Sequence, residues 1–447
     1  MALTGLEIYK QLPKTNCKKC GFPTCLAFAM QLAQKKVALD KCPDVTEDGK
    51  AALAGASAPP MKLVAVGVAD NKIEVGNETV LFRHEESFYH QPGIAVRLSD
   101  TLSEDELAKE VDAISKLSFE RVGLTLKINM LALENTSGNV EQYVKSVKKL
   151  TSLTNTALVL IAPPDALTAA LEVCKQNKPL LYKADDSNYE QMATIAKNSA
   201  CTLVVKGNGD LEALDALVQK VVKLGVTDIL LDPGSKDLSH TIQDLTKLRR
   251  LALKKNYRPL GFSTFVMPHN DDPYLELAEA SMYVSKYGGI IAIKGHEPWQ
   301  ALPLVTGRQD VYTDPRKPIQ AEVKVYSFGN VDRNSPVFVT TNFSLTFFTV
   351  AGEVESSKVP TYMFLVNTDG TSVLTAWAAD KFTSETITNT LKKLKLEDYV
   401  DHKTMIIPGL VSIISGRLQE DSGWKVVVGP KEAAGISPFL RTEAWKK

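Results

Sequence analysis

The sequence predicts a multidomain α/β protein with a small N-terminal cysteine-bearing domain, a central TIM (β/α)8 barrel and a C-terminal Rossmann-like α/β domain. Three observations predict it. Cys17, Cys20, Cys25 and Cys42 crowd the first tenth of a 447-residue chain. From residue 93 onward, short apolar strands alternate with amphipathic helices until about eight units have passed, the count of a TIM barrel. Beyond residue 320, further strands run into loops of glycine, serine and threonine, and in an open α/β sheet that edge is where ligands sit.

The cysteine segment, assigned to residues 1–57, is spaced C-x2-C-x4-C-x16-C within TNCKKCGFPTCLAFAM and ALDKCP. Three thiolates on one tight loop, with a fourth returning beyond a short helix, enclose a cubane 4Fe-4S cluster whose irons each take one cysteine sulfur. Structural zinc is the competing reading. It also takes four cysteines, but usually as two separated C-x2-C knuckles, and one pair alone has that spacing here. Disulfides would require a secreted chain, and MALTGLEIYKQLPK has neither an apolar core segment nor a small-residue cleavage site. Gly21 and Pro23 shape the loop, and Thr24 is placed to cap the helix CLAFAMQLAQKK, whose N-terminal amides would face the anionic sulfurs. Pro43 follows the last cysteine, as proline does in ferredoxin-type sites.

Lysine plus arginine and aspartate plus glutamate are balanced at 52 each. The balance implies no general attraction to nucleic acid or to anionic membrane. No apolar run approaches the length of a bilayer span, so a soluble protein is expected. Cys174 falls in a helical pattern and Cys201 at the start of an apolar strand, where buried inert thiols are expected. These features together suggest a reducing cytoplasm.

The small residues and paired prolines of AALAGASAPP read as a linker, and KLVAVGVADNKIEVGNETVLFRHE as a hairpin within 58–92, with turn signals at Asp70-Asn71 and Gly76-Asn77. The barrel is expected over 93–315, with strands AVRLS (from Ala95), VGLTL (Val122), ALVLIA (Ala157), PLLYKA (Pro179), LVVKG (Leu203), DILLDPG (Asp228), PLGFSTF (Pro259) and GIIAIKG (Gly289). Between them SEDELAKEVDAISKL and GDLEALDALVQKVVKL carry apolar residues at helical spacing. The C-terminal strand ends would carry Lys206, Asp232, Lys294 and His296. A substrate site there is one reading; loop solvation or partner docking is the other. The phrase DPG at Asp232 resembles the strand ends of pterin-binding methyltransferase barrels, although a proline and glycine after a strand also simply make a turn.

In the last domain, expected over 320–447, the strands are read as SPVFVTTN, TYMFLVNT, SVLTAWAAD, KTMIIPG and KVVVGP, with the helix SETITNTLKKL among them and the basic stretch TDPRKPIQAEVKVYSFGN before them. Small and hydroxylated residues follow the strands at Thr340-Thr341-Asn342, at 368–372, at Pro408-Gly409 and from Gly429 to Gly435. Each loop alone is ordinary turn chemistry. Four on one edge point to a large ligand rich in amides or phosphate.

TNCKKCGFPTCLAFAM with ALDKCP, an eight-unit barrel and a small C-terminal α/β domain together resemble the large (gamma) subunit of the corrinoid/iron-sulfur protein of the acetyl-CoA (Wood-Ljungdahl) pathway. The resemblance covers the whole chain, and KKCGFPTC is its most specific part. It implies a methyl carrier whose C-terminal domain is a corrinoid-binding domain. It also implies a small partner subunit covering the cobamide, and a separate methyltransferase that delivers the methyl of methyltetrahydrofolate to Co(I). Acetyl-CoA synthase on the CO dehydrogenase complex would take the methyl off. The 4Fe-4S cluster, fed by an electron donor such as ferredoxin, would rescue cobalt oxidised to Co(II). By the same resemblance Cys17, Cys20, Cys25 and Cys42 are the cluster ligands. Thr340, Thr346, Gly370, Thr371, Ser372 and Val373 contact the corrinoid, with Pro408, Gly409, Gly429 and Gly435 beside them.

Many corrinoid methyltransferases place a histidine on cobalt from a D-x-H-x-x-G motif, which this sequence lacks. His402 is the one histidine beyond residue 296, and Asp401-His402-Lys403 has neither the spacing nor the glycine. Base-off binding without a protein histidine is therefore expected. It would ease reduction, because d8 Co(I) prefers no axial donor and Co(II) loses stabilisation without one. Two other classes stay open: a pterin-dependent corrinoid methyltransferase with its own barrel active site, and an iron-sulfur scaffold whose last domain binds a nucleotide or nothing.

Overall fold

The computed structural model describes residues 4–33, 37, 39–46, 49, 53, 59–85, 87–314 and 318–446; the core of the expected linker, 54–58, lies outside them. The chain divides into two compact units, Met1–Ser118 with Lys127–Tyr312, and Phe119–Leu126 with Thr313–Lys447. Among the described residues, no helix is long and apolar enough to cross a membrane.

The first unit begins with the helices Gly5–Lys10 and Cys25–Ala33. Thr4 starts the first by a capping box, its hydroxyl accepting the Glu7 amide while the Glu7 carboxylate takes the Thr4 amide at 2.8 Å. Ile8, Leu12, Phe28, Ala29, Val45 and Leu53 bury their side chains in a small core that includes Cys25 and Cys42.

A hairpin follows, β1 (Val64–Val66) and β2 (Ile73–Val75), with Asp70 and Asn71 in its connecting turn. Val64, Val66 and Val75 pack on Ala95, Met130 and Ala157, near the amino ends of barrel strands. The Gly67 amide reaches the Lys178 carbonyl at 2.9 Å, and the Thr202 hydroxyl reaches the Ala65 carbonyl at 3.1 Å. The hairpin is thus an apolar plug in the floor of the barrel.

The next strands are β3 (Gly93–Ser99), β4 (Ser118–Arg121), β5 (Leu124–Lys127), β6 (Met130–Glu134), β7 (Ala157–Ile161), β8 (Leu180–Ala184), β9 (Leu203–Lys206), β10 (Ile229–Asp232), β11 (Phe265–Val266) and β12 (Ile290–Ile293). Eight of them form one parallel sheet ordered β10-β9-β8-β7-β6-β3-β12-β11. The Leu231 to Thr264 bridge joins its ends, with the Leu231 amide on the Ser263 carbonyl at 2.9 Å, closing the TIM barrel. Side-chain caps start the surrounding helices: Ser103, Asn139, Asp210 and Asp237 each accept an amide of the first turn.

Two expected barrel strands are corrected. VGLTL is not one of the eight; it falls in the hairpin β4–β5, and residues 119–126 group with the second unit. MLALE (β6) takes its place in the barrel. A strand covered on both faces is a continuous apolar run. β6 is such a run and is buried, whereas β5 alternates and leaves Leu124 exposed. PLGFSTF contributes regular strand at Phe265 alone, because Arg258–Leu260 turns as a 3-10 helix over Pro259.

The second unit holds β13 (Val325–Phe328), β14 (Val337–Thr341), β15 (Thr361–Val366), β16 (Thr404–Ile407) and β17 (Lys425–Val428), ordered β13-β15-β14-β16-β17. All pair in parallel except β13, an antiparallel edge. This is a Rossmann-like sheet whose order reverses between β14 and β16. SVLTAWAAD is corrected from strand to helix, Val373–Ala378, because its buried residues Val373 and Ala376 stand three apart, a helical spacing. The strand that fills out the sheet comes instead from KVYSFGN, within the stretch read as a basic connection.

Candidate functional site

The cluster loop runs from Asn16 to the start of the helix at Cys25. Gly21 takes φ +83°, a left-handed turn suited to glycine, between Cys20 and Cys25. The Thr24 hydroxyl accepts the Ala27 amide at 3.1 Å, the cap expected of it. Cys25 and Cys42 are buried, Cys20 is half-buried and Cys17 is exposed. Burial pushes the Cys42 thiol up, and the charges of Cys20, Cys25 and Cys17 push the same way, partly offset by the Asp44 amide; Cys42 thus senses all three other cysteines. Cys17 Sγ donates to the Asp44 carboxylate at 3.4 Å, and Lys19 pairs with the same carboxylate at 3.0 Å. Among the described residues, no three His, Cys, Asp or Glu side chains meet as a ready-made metal site, so the loop brings the four sulfurs near one another without gathering them at ligand distance. The donor set fits a thiolate-held centre: four sulfurs, a backbone amide on Cys25 Sγ and an apolar wall behind.

In the second unit, a cavity of ≈ 300 Å³ opens at the carboxyl ends of the strands. Of the ten expected contact residues, Thr340, Thr346, Ser372, Val373, Pro408 and Gly429 line it. The other four frame it. Gly370, at φ +71°, turns the loop after β15, and the Thr371 hydroxyl donates to the Thr368 carbonyl at 2.7 Å. A Cβ on Gly409 would strike the Gly429 carbonyl, and one on Gly435 would crowd Pro430, so these glycines let the loops after β16 and β17 touch. The Gly409 amide seals that contact on the Pro430 carbonyl at 3.0 Å.

Thr340 is 2% exposed, and among the described residues its hydroxyl has no hydrogen-bond partner. A buried unpaired hydroxyl costs about 1–3 kcal/mol. It lines the cavity, where a ligand would satisfy it. Asn342, which the sequence marks only as part of the loop after β14 and not as a contact residue, is an organiser: its Oδ1 accepts the Thr368 amide at 2.9 Å, the Thr368 hydroxyl at 3.0 Å and the Gly370 amide at 3.2 Å. Its position directly after a strand-end Thr-Thr pair was the available signal. Leu345, Leu374 and Leu410 add an apolar lining that remains exposed. The one histidine of this unit, His402, lies just before β16, at the amino end of the sheet.

The polar strand ends of the barrel are each engaged by neighbouring side chains. Asp232 accepts the Tyr182 hydroxyl at 2.9 Å and the Gly234 amide at 2.8 Å, and Lys206 reaches the same hydroxyl at 3.2 Å. Burial raises the Asp232 carboxyl, with Lys206 the main opposing influence. Lys294 pairs with Asp271, and His296 with Glu110 at 2.7 Å. Cys174 and Cys201 are buried as expected, and burial pushes the Cys174 thiol up to about 12.

Residues 12–43 match a putative Fe-S cluster family, and residues 63–440 match the CO dehydrogenase/acetyl-CoA synthase delta subunit family. The chain is 46% identical over 442 residues to the corrinoid/iron-sulfur protein large subunit of Moorella thermoacetica, covering 99% of both chains. It is 36% identical over 452 residues to the acetyl-CoA decarbonylase/synthase complex subunit gamma of Methanothermobacter thermautotrophicus, covering 98% of this chain and 99% of that one. Among solved structures, dihydropteroate synthase from Thermus thermophilus overlaps 56% of this chain and 100% of its own, at 17% identity and a TM-score of 0.39. With the cysteine loop, the barrel and the C-terminal sheet all within end-to-end alignments to such relatives, the chain belongs to the corrinoid/iron-sulfur protein large-subunit family.

Proposed function

We propose that this chain is a methyl carrier of the acetyl-CoA pathway, with a cobamide on the carboxyl edge of the C-terminal sheet and a 4Fe-4S cluster on Cys17, Cys20, Cys25 and Cys42. The observation that carries the reading is the buried Thr340 hydroxyl on the cavity wall, without a partner among the described residues. When bound, the cobamide supplies a metal that exchanges a methyl group, and the cluster supplies a low-potential electron. The residues of the chain do the rest. The Gly409–Gly429 contact and the loop held by Asn342 fix the cavity walls. Leu345, Leu374, Leu410 and Ile413 leave an exposed apolar rim that excludes water once a macrocycle and a small partner subunit cover it.

The placement of His402 at the far end of the sheet supports histidine-off binding, and with the absent D-x-H-x-x-G motif we read the cobamide as held base-off. In this reading a separate methyltransferase delivers the methyl of methyltetrahydrofolate, acetyl-CoA synthase with CO dehydrogenase removes it, and a ferredoxin-type donor feeds the cluster in the cytoplasm. The strand ends of the barrel, each held by a neighbouring side chain, favour a carrier over a barrel catalyst. Binding of methyltetrahydrofolate by this chain alone would reverse that preference.

The test is a visible spectrum of the anaerobically purified complex, with iron and sulfide assays, for wild type and Thr340→Val. The wild type is expected to carry both corrinoid and cluster bands. The variant is expected to bind cobamide about tenfold more weakly, and to be about 1 kcal/mol more stable when cobamide-free, because it no longer buries an unpaired hydroxyl. Tight zinc without iron, or unchanged cobamide affinity in the variant, would count against the respective site.

A further inference from the structure

Asn16 stands immediately before the first cysteine and is bonded twice to Cys25 across the loop. Its side-chain Oδ1 accepts the Cys25 amide at 2.8 Å, and its own backbone amide donates to Cys25 Sγ at 3.4 Å. The residues enclosed by this pair, 17–24, include Cys17 and Cys20. Cys25 opens the helix Cys25–Ala33, so its amide is a donor with no partner inside the helix. Thr24 satisfies the Ala27 amide of the same turn, and Asn16 satisfies that of Cys25. Asn16 adopts φ +51°, a left-handed conformation that asparagine tolerates better than most residues. Residue type, backbone and both bonds therefore agree on one role.

We propose that Asn16 is a positioning residue for the cluster, a clasp that closes the ligand loop onto the helix start and aims its backbone amide at one ligand sulfur. The inference rests on the reading that the four cysteines hold a cubane cluster. An amide aimed at a thiolate disperses its charge, and so favours the reduced, more negative cluster; hydrogen bonds to sulfur are among the controls on cluster potential. Loss of the side-chain bond opens the loop, and with it the direction of the amide.

The test uses the full-length chain with its partner subunit, prepared anaerobically as wild type, Asn16→Asp, Asn16→Gly and Asn16→Ala. N16D keeps the oxygen acceptor, and N16G keeps the left-handed backbone without it. Amide hydrogen exchange at Cys25 is expected to be slow in wild type and N16D and at least tenfold faster in N16G and N16A. Iron loss to a chelator should follow the same order. At a fixed ambient potential near the wild-type midpoint, the reduced-to-oxidised ratio of clusters remaining in N16G should fall at least threefold by EPR. The proposal is overturned if N16G exchanges, holds iron and titrates as wild type does, or if N16D fails as badly as N16A. Wild-type protein holding zinc and no iron would overturn instead the cluster reading beneath it.

Discussion

His402 illustrates how a single residue type invites a role that its position denies. Its Nε2 meets the Ser335 carbonyl at 3.0 Å and its Nδ1 accepts the Thr404 amide at 3.2 Å, which assigns the proton to Nε2. Both bonds tie down the chain entering β14 and β16, at the end of the sheet opposite the cavity. Replacing His402 with alanine should cost about 1–2 kcal/mol of stability for two part-buried bonds, measured by denaturant unfolding. The Co(II) EPR spectrum of the loaded protein should not change. Axial nitrogen splitting in the wild type that vanishes in this variant would refute histidine-off binding.

At the scale of elements, a buried carboxylate ties a strand to a neighbouring loop at the barrel mouth. Asp100, fully buried after β3, accepts the Ser137 hydroxyl at 2.5 Å and amide at 2.9 Å, the Asn135 side chain at 2.6 Å and the Thr136 hydroxyl at 3.2 Å. It thereby binds the end of β3 to the loop after β6. Burial pushes its carboxyl up, but the bonds from Ser137, Asn135 and Thr136 more than offset this and leave it below the ordinary value. A carboxyl depressed in the folded state contributes stability that is present above its unfolded pKa, about 4, and is lost as pH falls through the folded value. Asp100→Asn should therefore be about 2 kcal/mol less stable near neutrality and lose less on acidification, so that the two stability curves converge toward low pH. Parallel curves in a pH series of denaturant melts would show that the charge of Asp100 is not what the loop uses.

For the whole molecule, the assignment of cluster and cobamide to different domains suggests a division of labour. Methyl transfer moves a methyl cation and needs no net electron, so in the proposed function the cluster would serve repair of oxidised cobalt. Removal of residues 1–56 should leave the barrel intact, because residues 59–62 are fastened to it independently. The Lys62 amide bonds the Gly261 carbonyl at 2.8 Å, Lys62 Nζ pairs with Asp228 at 2.8 Å, and Arg258 holds the Pro59 carbonyl. Such a chain, paired with its partner subunit and chemically reduced, should accept a methyl group at near-normal rate. It should fail only at reactivation by a physiological electron donor. A truncated protein with full cobamide that cannot be methylated when poised as Co(I) would place the N-terminal domain in the transfer step itself.

The sequence by itself determined what depends on near neighbours along the chain. Cys17, Cys20 and Cys25 lie within nine residues, Thr24 caps the helix that follows them, and buried parallel strands such as ALVLIA and LVVKG announce themselves as unbroken apolar runs. The glycines that frame the cavity, Gly370, Gly409 and Gly429, were legible as loop residues because they lie just beyond strand ends. Tertiary structure decided what depends on which partner a segment meets. VGLTL and MLALE are both short apolar stretches next to each other in the chain, and barrel closure takes up the unbroken run, the one that can be buried on both faces. SVLTAWAAD carries strand-favouring residues, yet it closes the cavity wall as a helix because Val373 and Ala376 find the core together. The unpaired Thr340 hydroxyl, the Asn342 hub and the bond from Asn16 to Cys25 could not be read in advance, since each is a distance between atoms that the fold alone brings within reach.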